Sequence, residues 1–152
     1  MAHLKVRYLS LKAFHRLAVL LMLACFVPIA AADDDLNFIC NKNVAINTLS
    51  KFEVKNIFLG KHISWDDNKE IIFVVLNQKE PFKIFLKKII HKSPSQYESY
   101  WRHMVFTGKG VFPKTFTSEA QLIDYVAKTD GAIGYLSSKT HTDKVKILVI
   151  TN

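Results

Sequence analysis

The sequence predicts an α/β fold: one three-layer-like domain in which a mostly parallel or mixed sheet of about four strands is flanked by helices. Three observations lead there. Ile71-Ile72-Phe73-Val74-Val75-Leu76 is a continuous apolar run, rich in β-branched residues and too short for a typical helix, as expected of a central strand covered on both faces. Segments with apolar residues at helical spacing flank it, and strand-like runs alternate with those helices along the chain.

The chain of 152 residues opens with Lys5, Arg7, Lys12 and Arg16 and no acid, continues with an apolar run from Leu17 to Ile29, and reaches Ala30-Ala31-Ala32. Basic end, apolar core and small residues are the three parts of a secretory signal peptide, expected over residues 1–32 with cleavage after Ala32. A transmembrane anchor needs roughly 20 apolar residues, more than this run supplies. A lipid anchor on Cys25 is the competing fate, although Phe26, Val27 and Ile29 continue the apolar core beyond that cysteine. The remaining 120 residues, 33–152, suit one domain with its own core, without stable membrane insertion after cleavage.

Leu36 to Cys40 reads as the first strand and Asn41 to Asn47 as an exposed connection. Ser50 with Glu53 three residues on, flanked by Leu49 and Val54, predicts a capped helix to about Leu59, stopped by Gly60. Trp65-Asp66-Asp67-Asn68 reads as a turn into the central strand. Phe82, Phe85, Leu86 and Ile89 then share one helical face, with Lys83, Lys87 and Lys88 opposite. Ser93-Pro94-Ser95-Gln96 supplies an N-cap, a first-turn proline and a capping-box glutamine for a helix whose Tyr97, Trp101, Met104 and Val105 face the core. Phe106 to Pro113 is irregular. Ser118-Glu119-Ala120-Gln121 caps a helix through Lys128, Asp130-Gly131 turns into a strand at Ala132 to Leu136, and Val145 to Ile150 forms the last strand.

Composition excludes several classes of function. Four of the 21 basic residues lie in the first 32, which leaves 17 against 13 acidic ones, a net +4 spread along the domain and no footprint for nucleic acid. Cys40 is the one cysteine after residue 32, so no intrachain disulfide forms there, and it reads as a small buried hydrophobe. His62, His91, His103 and His141 lack metal-ligand spacing, and neither a nucleophile elbow nor a flagged carboxylate pair is present. No catalytic residue, metal or cofactor is expected.

Two segments are candidates for holding an anion. The turn from the central strand into the lysine-bearing helix offers Asn77, Gln78, Lys79 and Lys83 near the positive end of a helix. Thr107, Gly108, Lys109 and Gly110 offer two glycines that let amides approach a ligand, together with a charge.

Several landmarks occur in one order: Leu49-Ser50, Ile57-Phe58-Leu59-Gly60-Lys61, Trp65, the strand from Ile71, Phe106-Thr107-Gly108-Lys109-Gly110, and Gly131-Ala132-Ile133-Gly134-Tyr135. In this the chain resembles the phosphate-type substrate-binding proteins of bacterial ABC importers, over about Ile39 to Tyr135. The resemblance implies one lobe of a type 2 periplasmic-binding-protein fold, a periplasmic location, a small anion such as phosphate as ligand, and an ABC permease or another envelope protein as partner. Where that family has an arginine and a Ser-Gly-Thr cradle after the central strand, this chain has Asn77, Gln78, Lys79, Glu80 and Pro81. The expected function is an exported solute-binding-protein-like domain that binds a small anion weakly; the alternative is an envelope protein-interaction module that kept the fold without transport.

Overall fold

Alternation of short strands with helices produces a six-stranded mixed sheet in the computed structural model, which describes residues 36–137 and 143–152. The elements are β1 (Asn37–Cys40), β2 (Thr48–Ser50), α1 (Lys51–Phe58), β3 (Ile72–Leu76), α2 (Lys79–Phe85) continued by a π-helical turn (Leu86–Ile90), α3 (Pro94–Phe106), β4 (Lys114–Phe116), α4 (Glu119–Lys128), β5 (Ala132–Leu136) and β6 (Lys146–Thr151). The strand order is β2-β6-β1-β5-β3-β4. β1 runs antiparallel to β5 and β6, whereas β3 is parallel to β4 and β5, and β2 is parallel to β6. Residues 1–32, expected to be a signal peptide, lie outside the described residues, Cys25 among them.

The sheet has two strands more than the sequence reading counted. β2 and β4 are three residues each, and each exists because a longer neighbour supplies its ladder: Thr48 pairs with Val149 of β6, and Lys114 with Val74 of β3. The connection after β1 also departs from expectation, since Asn41 and Val44 are buried. The Asn41 side-chain amide donates to the carbonyls of Val126 (2.9 Å) and Ala127 (3.0 Å) in the last turn of α4, so a buried polar group is satisfied and ties β1 to that helix.

Helices cover both faces. Phe38, Phe58, Phe85 and Tyr135 bring β1, α1, α2 and β5 into one aromatic cluster, with neighbouring ring centroids 4.3–6.1 Å apart. On the other face Leu122 of α4 packs where Gly134 leaves room: a Cβ there would stand 2.8 Å from Leu122 Cδ2 and 3.0 Å from Val74 Cγ2. Cys40 is fully buried beside this core. Burial pushes its thiol pKa up to about 11, against a smaller opposing pull from Lys146, so it packs as a protonated hydrophobe.

The helix caps follow the sequence at two sites and depart from it at a third. Ser50 with Glu53 and Ser93 with Gln96 both close capping boxes, and Gly60 takes the left-handed conformation (φ 64°) after α1. Ser118 makes no side-chain cap bond to α4. In α3, Tyr97 and Trp101 are buried and Met104 partly so, as expected, but Val105, in the last turn of the helix, is exposed.

Candidate functional site

β3, β4 and β5 run in the same direction, so their carboxyl ends, Leu76, Phe116 and Leu136, lie along one edge of the sheet. In open α/β sheets that edge is where ligands bind, because the connections leaving it bring helix starts and free polar groups together. Here the connections are tied to one another. Asn77 N donates to Phe116 O (2.7 Å), and Gln78 Nε2 donates to Thr117 O (2.9 Å). Ser137 donates through both its amide and its hydroxyl to Glu119 Oε1, at 2.6 Å each. Beneath them the Tyr135 hydroxyl, its pKa raised by burial, donates to Leu76 O at 2.7 Å.

The first candidate segment stands on this edge. Asn77 is exposed at the end of β3, Gln78 is the N-cap position of α2, and Lys79 is exposed in its first turn. Gln78 spends its side chain on Thr117 rather than on capping α2. Lys83 Nζ lies 3.2 Å from Glu80 Oε1, so the carboxylate that stands where the family pattern has small donors engages a lysine expected to face the anion. Pro81 has no N–H, and Phe82 N already donates to Gln78 O (2.9 Å).

The second segment lies elsewhere, at the carboxyl end of α3. The amides of Thr107, Gly108 and Lys109 donate to His103 O (3.0 Å), Val105 O (3.0 Å) and Met104 O (2.8 Å), and the Thr107 hydroxyl donates to His103 O (2.8 Å). These three amides close the helix instead of standing open to a ligand. Gly108 (φ 67°) supplies the left-handed turn that makes the closure possible. The charge this segment offers is Lys109, at the negative end of the α3 dipole.

A cleft of about 230 Å³ opens between the end of β3, β4, α3 and the segment before β4. Asn77 lines it with Phe82, Tyr97, Glu98, Trp101 and Phe112, and neither Lys79 nor Lys109 does. Its walls are mainly apolar. Trp101 Nε1 is buried without a hydrogen-bond partner of good geometry; its interaction with the Tyr97 hydroxyl is slight beside the burial that raises the tyrosine pKa, and that hydroxyl donates to Phe58 O (3.2 Å). A larger cleft of about 580 Å³ lies between the amino end of β1, the start of α1 and the end of β6, with Lys51 and Lys88 among its walls. The sequence reading missed it because its residues come from four separate elements, with no local motif to mark them.

No family model and no curated protein matches this sequence. Solved structures do match its fold. A putative phosphate ABC transporter substrate-binding protein with bound phosphate from Clostridium perfringens aligns at TM-score 0.60 and 18% identity, over 77% of this chain and 45% of its own. PstS from Borrelia burgdorferi aligns at TM-score 0.58 and 17% identity, over 77% and 47%. An ABC-type phosphate transport receptor from Vibrio cholerae aligns at TM-score 0.52 and 14% identity, over 77% and 46%. The chain therefore has the fold of part of a phosphate ABC transporter substrate-binding protein, as the sequence resemblance implied, and it spans somewhat less than half the length of these proteins.

Proposed function

We propose that this chain is an exported solute-binding-protein-like domain that receives a small anion, phosphate or one of similar chemistry, and works with an ABC permease. One observation carries the reading: the fold is that of phosphate-binding transport proteins, one of them holding phosphate, and Asn77, Gln78 and Lys79 stand at the carboxyl end of the central parallel strand. The residues of the second segment would add Lys109 as a more distant charge.

The domain by itself should hold the anion weakly. About three charge-assisted hydrogen bonds, each worth roughly 1.5–3 kcal/mol, sum to about 5–9 kcal/mol. Lost translational and rotational freedom costs about 4–15 kcal/mol, and Glu80 repels the ligand, so the surplus corresponds to a Kd of about 1 mM or higher. Isothermal titration with inorganic phosphate on the wild type, Lys79→Ala and Lys109→Ala tests the reading. Millimolar binding weakened by Lys79→Ala supports it, whereas heats identical in all three proteins would remove the assignment of this edge.

A further inference from the structure

The end of α3 and the segment after it expose an unusual set of side chains. Phe106 is 92% exposed, Val111 80%, Phe112 53% and Val105 38%. From Ser99 to Ser118 the chain holds no acidic residue, and Arg102, His103 and Lys109 are exposed on or beside this patch, whereas Lys114 turns to the other face of the sheet, 4.2 Å from the Tyr125 ring. At 100° per residue, Val105 and Phe106 fall on the side of α3 that carries Glu98 and Arg102. Phe112 and Pro113 line a cleft together with Glu98, which places the returning segment on that same side. The turn that reverses the chain is fixed by the bonds from Gly108 N and Lys109 N to Val105 O and Met104 O. Glu98, an acid on the same side of α3, lies 4.0 Å from Arg102.

We propose that this tip docks on an anionic phospholipid surface, with Phe106 and Val111 entering the headgroup layer and Arg102 and Lys109 against the lipid phosphates. Protruding apolar side chains ringed by cations are the pattern that binds at such an interface. The amides of Thr107, Gly108 and Lys109 are consumed by α3, so the turn itself recognises nothing through its backbone. A lipid surface asks only for apolar insertion and positive charge. The inference does not depend on anion transport.

A position-specific readout tests it on the full chain, whose apolar amino-terminal run could hold the protein on vesicles by itself. The two native tryptophans, Trp65 and Trp101, are 5% and 2% exposed, so Phe106→Trp introduces the one exposed indole. Phe52→Trp, at a 71% exposed site on α1, is the control. With vesicles of phosphatidylglycerol and phosphatidylcholine in equal parts, the emission of the 106 variant should shift to the blue and be quenched by brominated acyl chains. The control should not respond, and the response should fade in pure phosphatidylcholine, at high salt and on adding Arg102→Ala with Lys109→Ala. Equal responses at positions 52 and 106, none at 106, or equal responses to both lipids would overturn the proposal. So would a blue shift that appears without lipid as protein concentration rises, which would make the occupant a second copy of the chain.

Discussion

Phe85 lies flat on Tyr135, with ring centroids 4.3 Å apart and planes 13° from parallel. The contact joins α2 to β5 beneath the candidate edge, and both side chains are fully buried. Phe85→Ala removes a stacked ring and leaves a cavity among Phe58 and Tyr135, so it should cost about 3–5 kcal/mol. Lys87, two residues on, is exposed, and Lys87→Ala should stay within about 0.5 kcal/mol. Urea melts of the two variants check the pair, and equal effects would reverse the assignment of the helix face.

The serine caps give a second contrast. Ser93 Oγ accepts from Gln96 N at 3.2 Å and Gln96 Oε1 accepts from Ser93 N at 2.8 Å, so Ser93→Ala should cost about 1 kcal/mol. Ser118 has no such bond, and Ser118→Ala should move the melting midpoint little. Thermal melts at pH 7 decide between equal and unequal caps.

The two serines also mark where the sequence is legible. Ser93 is read correctly because every partner of its box lies within four residues. Ser118 is misread because local spacing, with Gln121 three residues on, does not decide whether the cap bond forms: its side chain makes none, and its neighbour Glu119 bonds to Ser137, far along the chain. β2 and β4 escape notice for the same reason, since their pairing comes from Val149 and Val74, far along the chain. Periodicity does place Phe85, Leu86 and Ile89 in the core, yet nothing in it announces that helical bonds widen to a π turn at Leu86. At the candidate site the residue types at positions 77–83 and 107–110 were visible. What their amides bond to was not: Asn77 N reaches Phe116 across the sheet, and the amides of 107–109 turn back onto the carbonyls of α3.

Glu53 accepts from Ser50 N (2.7 Å) and Ser50 Oγ (2.6 Å), and these bonds, foremost that from the hydroxyl, hold its carboxyl below the usual glutamate range. A depressed folded-state pKa means stability that is present above the unfolded value of about 4.3 and lost as pH falls through the folded one. Wild type should therefore exceed Glu53→Gln by a few tenths to about 1 kcal/mol at pH 7. Melts repeated at decreasing pH should show that gap closing below about pH 4, where protonated glutamate resembles glutamine; a pH-independent gap would contradict the assignment.

Export can be checked on the covalent chain. Protein recovered from the cell envelope should begin at Asp33 and carry no lipid, because the alanine triplet lies beyond the apolar core. Intact-mass measurement separates this outcome from a diacylated species that begins at Cys25.

Glu80 is the residue whose removal should improve the proposed site. It stands in the first turn of α2, where its charge favours the helix start but opposes an incoming anion, and it lies 3.2 Å from Lys83. A charge at that position is worth about 0.3–1 kcal/mol, and releasing an exposed lysine from its partner adds roughly 0–1 kcal/mol. At 1.4 kcal/mol per factor of ten, Glu80→Gln should tighten phosphate binding by about 2- to 30-fold. The same change deprives the helix start of its acid, so the melting midpoint should fall slightly while affinity rises. Opposite signs in the two measurements separate a local electrostatic effect from a general loosening of the fold, which would lower both. Titration and melting of Glu80→Gln beside wild type supply the comparison, and an affinity that stays the same or falls would mean that the anion does not sit near the start of α2.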